Sequence, residues 1–330
     1  NHLIDQAIKV LNISPNPRKV LPWAGVAISL DKKGYVNKNL KSNYYTFLPL
    51  PIKSKHPVHI HGWFDLNPKR TEITYDGSGD DKSILIEWNR LLFKDGVGTV
   101  WAYLINFVKE NCDSQRYYSL WPKNNDNEFD EYLLEGFYQE ISKLQCFKTK
   151  HKEETNWKTP KDNVYYFKYS SKDKIFDALK EHFSIITPKP SQRIIESLSD
   201  IDINLKEITP ELIHNYLFEL SEEIDFPIAF DDMPIEMLSN KKWFLSVLEF
   251  CAEINEKRDY SILEGLPLEL TFDNKVTCIK DNRLFDKNPK LLIFENDESL
   301  FLHPDMLEIV KNADVLPSTW LKPNLKNYLT

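Results

Sequence analysis

The sequence predicts an α+β (α/β) fold, in which a mixed or antiparallel sheet with packed helices is followed by a helical region with β-hairpins. Three observations support this. Residues 20–66 contain short segments of alternating apolar and polar side chains, residues 83–144 repeat apolar side chains at helical spacing, and residues 145–311 mix both patterns. Hydrophobic residues make up 42% and aromatic residues 13% of the 330 positions, so large buried cores are expected.

The first part of the chain begins with a predicted helix over residues 2–11. Three extended segments follow, over residues 20–30, 43–50 and 57–66. Their alternation predicts an antiparallel sheet edge or meander. Because the chain begins with Asn, we also expect it to be part of a longer polypeptide.

Helices are predicted after the acidic turn at residues 76–81. One apolar helical face begins near Ser83 and ends at Leu92, and a second runs from Val100 to Val108. The sequence DGVG at residues 95–98 is expected to separate these two helices, since Gly is a poor helix former. With a third helix over residues 128–144, these elements predict a first α/β unit over residues 1–145.

The second predicted unit, over residues 146–330, contains helices and hairpins. Strands are predicted at 145–150, 164–169, 266–272, 275–279 and 290–294, and helices at 173–183, 191–198, 210–221, 242–256 and 304–311. Thr209 followed by Pro210 is a favourable helix start, because Thr caps the helix and Pro is tolerated at its first position. The order of elements is consistent with a degenerate duplication roughly 120 residues apart.

Composition narrows the possible functions. The chain carries 42 Lys and Arg against 50 Asp and Glu, a net charge of −8, so neither nucleic acid nor an anionic membrane is an expected partner. The nine glycines form no GxxxxGK[ST] or GxGxxG loop, and GxSxG and HExxH are also absent, so no ATP binding or catalysis is expected from this chain alone. The four cysteines form no CxxC pair, which indicates a reducing, cytoplasmic compartment.

Histidines provide the nearest match to a metal motif. His59 and His61 would project from the same face of a strand, as two zinc ligands can, but no third or fourth ligand lies at a local spacing. Hydrogen bonding within the sheet is the favoured interpretation, and a zinc-dependent hydrolase is the minor alternative. The acidic turn lacks the Glu of an EF-hand loop and is interpreted as solvated.

Lys69 and Arg70 follow a predicted strand and precede the acidic turn. From this position a cation can reach a phosphate that another domain presents. The alternative is a solvated pair of surface charges.

Several sequence segments occur in an order that resembles the sacsin-type repeat. They are YTFLPLP at 45–51, HPVHIHGWFDL at 56–66, Lys69-Arg70, and EWNRLL at 87–92; the later segment LEGLPLELTFDN at 263–274 is similar to a hairpin of that family. The chain departs from the family where Pro68-Lys69-Arg70 replaces an Asn-Arg-Arg triplet. A Phe272-Asp273-Asn274 sequence also replaces the Ala-Asp-Gly hairpin tip.

The resemblance implies a function that depends on a longer protein. Members of the family carry a GHKL-type ATPase fold upstream of this region, so ATP and magnesium are expected there and no cofactor is expected in this chain. The segment would act as a middle domain that couples this upstream domain to protein clients, in a chaperone-like or assembly-controlling protein. Arg70 or Lys69 would contact the terminal phosphate. The alternative is a scaffold or protein-recognition module, such as that of a bacterial defence protein, with no coupling to ATP.

Overall fold

The computed structural model describes residues 2–13, 19–37, 42–77, 79–112, 114–125, 127–169, 173–254, 257–285 and 297–322. The described chain folds into two compact units. The first comprises Asn1–Thr149, Thr155–Val164 and Ile186–Lys206, and the second comprises Lys150–Glu154, Tyr165–Ile185 and Glu207–Thr330. The observed helices and mixed sheets form an α+β fold, as the sequence predicts. Across the described residues, no helix has the length and hydropathy needed to cross a membrane.

The helices have the following bounds: α1 His2–Leu11, α2 Asp80–Leu91, α3 Thr99–Val108, α4 Ser114–Tyr117, α5 Asp130–Ile141, α6 Lys174–Leu179, α7 Gln192–Ser199, α8 Pro210–Ser221, α9 Lys241–Cys251 and α10 Leu307–Lys311. The strands are β1 Ala24–Ala27, β2 Asn43–Thr46, β3 Leu48–Lys53, β4 His59–Gly62, β5 Phe147–His151, β6 Glu154–Lys158, β7 Tyr165–Tyr166, β8 Ile185–Ile186, β9 Lys206–Glu207, β10 Ile228–Ala229, β11 Glu253–Ile254, β12 Lys257–Arg258, β13 Glu269–Leu270, β14 Lys275–Thr277, β15 Arg283–Leu284 and β16 Trp320–Leu321.

The first unit contains a four-stranded sheet in the order β1-β4-β2-β3. β1 pairs antiparallel with β4 and β2 pairs antiparallel with β3, but β2 and β4 are parallel, so the expected meander is wrong at this central pair. The expected single strand over residues 43–50 is also wrong, because the chain reverses at Phe47, whose φ is 59°. Bulky residues rarely adopt a positive φ. The alternating pattern around Phe47 therefore predicts a continuous strand and gives no sign of the reversal.

The sequence predicts a break between two helices at residues 95–98. In the structure, these residues are part of a continuous helix. A π-helical segment over Leu92–Gly98 joins α2 directly to α3. A Cβ atom at Gly136 would lie 1.9 Å from the Lys94 carbonyl oxygen, and one at Gly98 would lie 2.7 Å from the Phe137 nitrogen. These glycines therefore allow the π-helical segment and α5 to approach backbone to backbone.

Large side chains fill the core of the first unit around this contact. Trp88, Trp101, Trp121 and Phe137 are fully buried. Trp101 contacts Phe137 at a ring-centroid distance of 6.1 Å, and Trp121 contacts Phe137 at 5.4 Å. Edge-on contacts of this kind stabilise the packing beyond the burial of apolar area.

The second unit packs its helices around an apolar core and a three-stranded antiparallel sheet in the order β10-β14-β13. α8 begins as predicted: Pro210 occupies its first turn and the Thr209 side chain accepts a hydrogen bond from the Leu212 amide. β6, of which all but the first residue belongs to the first unit, lies between the strands predicted at 145–150 and 164–169 and was not predicted, because its residues are mostly polar and exposed and show no hydrophobic alternation. The strand predicted at 290–294 lies outside the described residues.

We predict that Gly136→Ala lowers the free energy of unfolding by about 3 kcal/mol, because the added methyl group would overlap the Lys94 carbonyl oxygen. Urea unfolding followed by circular dichroism measures this change. Gln139→Ala, at an exposed position of α5, is the control and should change stability by under about 0.5 kcal/mol. Equal stability of the two variants would contradict the close approach.

We also predict a pH effect from Glu269, a buried carboxyl group in the second unit. Burial raises the pKa of Glu269 to about 7 from an ordinary value of 4.5, against the opposing influence of Arg283 and of the Trp320 indole N–H. At a pH between 4.5 and 7, the Glu269 carboxyl group therefore keeps its proton in the folded chain and releases it in the unfolded chain. The free energy of unfolding of the wild type, relative to Glu269→Gln, should therefore fall by about 3 kcal/mol as the pH rises from 4.5 to 7. A constant difference between the two proteins over this range would contradict the shifted pKa.

Candidate functional site

Lys69 and Arg70 lie at the tip of a tight loop over residues 65–74, which we call the basic loop. Its two sides are joined by a bridge between Leu66 and Ile73 and by a 3.0 Å hydrogen bond from the Thr74 amide to the Asp65 carbonyl. The sequence predicts the basic pair directly after a strand; in the structure β4 ends at Gly62, and Leu66 forms only an isolated bridge with Ile73 across the loop. The structure adds that this segment folds back on itself.

The tip is shaped by Asn67. Its side-chain oxygen accepts a hydrogen bond of 2.9 Å from the Thr71 amide, and its carbonyl accepts one of 2.8 Å from the Arg70 amide. Such Asn-centred turns commonly replace regular backbone pairing. Arg70 adopts a positive φ of 55°, an uncommon conformation for a residue other than Gly.

Asn89 holds both sides of the basic loop from α2. Its Oδ1 accepts a 2.8 Å hydrogen bond from the Asp65 amide, while its Nδ2 donates to the carbonyls of Asp65 at 3.0 Å and Thr74 at 2.8 Å. The Asn89 side chain is fully buried, so each of these bonds is costly to break. The loop is thereby fixed to a helix rather than held by its own turn alone.

Trp88, the neighbour of Asn89, extends this attachment. Its indole nitrogen donates a 2.7 Å hydrogen bond to the Trp63 carbonyl, just before the loop. The sequence alone does not identify Asn89 as an anchor of this loop. The available signal was the placement of Asn89 four residues after Leu85, on an otherwise apolar helical face.

The Arg70 side chain is exposed and reaches the hairpin between β2 and β3. Its Nη2 donates a 3.2 Å hydrogen bond to the Thr46 carbonyl. A guanidinium group has five N–H donors, so this bond leaves donors that can bind an anionic group. Lys69 is also exposed and lies beside it at the tip.

The histidines are hydrogen-bonded within the sheet, which is the interpretation that the sequence analysis favoured. His59 Nδ1 accepts a 3.2 Å hydrogen bond from the Asn43 amide, and His61 Nε2 accepts one of 3.2 Å from the Phe47 amide. Burial lowers the pKa of His61, which favours the neutral ring that the bond from the Phe47 amide requires. In the described part of the chain, no three His, Cys, Asp or Glu side chains converge as metal ligands do.

The acidic turn leads directly into α2. Asp76, Asp80 and Asp81 are exposed, and the last two lie in the first turn of this helix, where negative charge interacts favourably with the helix dipole. This agrees with the interpretation of a solvated turn.

A comparison with known proteins finds a similarity to human sacsin. Human sacsin is 26% identical to this chain over 150 residues, which cover 42% of the chain and 3% of sacsin. The chain therefore contains a region similar to sacsin and corresponds to a small part of its length. No protein-family model matches the chain, and no solved structure matches it.

We predict that Asn89→Ala lowers the free energy of unfolding by about 3 kcal/mol, since the Asp65 amide and the Thr74 carbonyl would lose the Asn89 side chain as a partner and the Asp65 carbonyl would lose one of its two donors. Urea unfolding of the 330-residue chain measures the loss. The matched control is Glu87→Ala on the same helix, whose exposed ion pair with Arg90 contributes under about 0.5 kcal/mol. Indistinguishable stabilities of the two variants would contradict the anchoring role.

Proposed function

We propose that this chain is the transducing segment of a sacsin-like, ATP-dependent protein of the chaperone-like or assembly-controlling class. In this proposal an ATPase domain elsewhere in the same polypeptide binds ATP and magnesium, and the basic loop presents a cation to the terminal phosphate. The chain would couple the nucleotide state to the binding of protein clients and would be catalytically silent on its own.

One observation supports this proposal above the others: the basic loop is attached to α2 through Asn89. Two segments of the sequence resemblance, 56–66 and 87–92, contribute the groups that meet in this attachment. A cation that stabilises charge on a transferred phosphoryl group acts best when it is already positioned, because no reorganisation is then needed during the reaction. The similarity to human sacsin is consistent with the proposal.

A second candidate function is a scaffold or protein-recognition module without coupling to ATP. It is favoured by a group of aromatic side chains in or directly beside the strands of the four-stranded sheet. Trp23 contacts His61 at 4.7 Å and Phe47 contacts Trp63 at 4.5 Å between ring centroids, while Trp23 and Phe47 remain 51% and 63% exposed. Exposed aromatic side chains of this kind are typical of protein interfaces.

We predict that Arg70→Ala, introduced into the longer protein, lowers its rate of ATP turnover at saturating ATP by at least about a hundredfold, because a phosphate-contacting cation is removed. Steady-state phosphate release measures the rate. Lys69→Ala, tested separately, identifies which of the two cations is responsible.

The control is Lys33→Ala, at an exposed position of the first unit outside the basic loop. It should leave turnover unchanged, and circular dichroism should show that all variants are folded. Unchanged turnover in both Arg70→Ala and Lys69→Ala would contradict the proposal. A longer protein that neither binds nor hydrolyses ATP would favour the scaffold.

A further inference from the structure

A second cationic feature of the first unit is a cleft of about 700 Å³, and no residue of the basic loop is part of its lining. Its described lining includes Lys53, Lys55, His56, Lys123 and Asn125, and the other lining residues are uncharged. Three of these residues are lysines and none is acidic. This composition stands out in a chain with a net charge of −8.

The three lysines come together through the fold and not through a basic run in the sequence. Lys53 ends β3 and Lys55 follows two residues later, whereas Lys123 precedes α5. All three residues are exposed to solvent at the cleft. The Lys55 Nζ donates a 3.1 Å hydrogen bond to the Asn125 carbonyl, which joins the two segments.

The floor of the cleft is a buried polar network. His56 Nε2 lies 2.9 Å from Asp130 Oδ1, and both side chains are only 2% exposed. The Asn125 amide donates a 2.7 Å hydrogen bond to Asp130 Oδ2, and the Asn125 side-chain nitrogen lies 3.2 Å from His56 Nδ1. Both oxygens of the Asp130 carboxylate are therefore engaged, by His56 and by the Asn125 amide, and Asp130 itself does not line the cleft.

We propose that this cleft binds a small molecule that carries a diphosphate or triphosphate group. A volume of about 700 Å³ is typical of small-molecule sites, which cover roughly 300–1,000 Å³. Lysine ammonium groups bind phosphate as compact point charges, and three of them around one cleft match several negative charges carried close together. The proposal does not rest on the role of the basic loop, which uses other cations.

Isothermal titration of the 330-residue chain with inorganic pyrophosphate tests the proposal. The wild type should bind pyrophosphate, and citrate should bind at least about tenfold more weakly. The double variant Lys53→Gln/Lys123→Gln should weaken pyrophosphate binding by about tenfold, or roughly threefold for each lysine.

The matched control is Lys33→Gln/Lys161→Gln, which removes the same charge from exposed positions of the same unit. It should bind pyrophosphate as the wild type does, and thermal unfolding should show that both double variants are folded. Absence of pyrophosphate binding to the wild type, equal affinity in the cleft variant, or equal affinity for citrate would overturn the proposal. Binding of a phosphoserine peptide in place of pyrophosphate would also overturn it.

Discussion

The hydrogen bonds of the buried Asn89 side chain fix the basic loop, and the proposed function of this loop depends on them. One amide group accepts from one side of the basic loop and donates to both sides, so it closes the loop and attaches it to α2 in a single contact. An amide is suited to this task because it carries an acceptor and two donors. An apolar residue at position 89 would leave the Asp65 amide and the Thr74 carbonyl without this partner, and the Asp65 carbonyl would keep only its bond from the Thr74 amide.

The position of α2 in turn depends on two glycines. The π-helical segment over Leu92–Gly98 continues α2 and lies against α5, where Gly98 and Gly136 leave no room for a side chain. The same helix carries Asn89 and Trp88, so this close packing also sets where the basic loop is held. A chain of contacts therefore runs from α5 through α2 to Arg70, within one compact unit.

Residue spacing and capping residues, which are signals within a single element, predicted several elements correctly. The Thr209-Pro210 start of α8, the helix near residues 128–144 and the shared face of His59 and His61 all follow from spacing and capping chemistry. The failures have tertiary causes. Gly96 and Gly98 suggested a helix break, yet Gly98 serves close packing, and Phe47 reverses the chain where alternation predicted one strand. The role of Asn89 could not be predicted from the sequence, because its partners Asp65 and Thr74 come beside it only in the folded chain.

Amide hydrogen exchange measured by NMR shows whether Asn89 fixes the basic loop, because the Asp65 amide donates to Asn89 Oδ1. In Asn89→Ala at a pH where the chain is folded, the account predicts at least about tenfold faster exchange at Asp65 and Thr74. Amides of α5 should keep their wild-type protection. Unchanged exchange in the basic loop, or an equal loss of protection throughout the unit, would contradict the claim that Asn89 is what holds this loop in place.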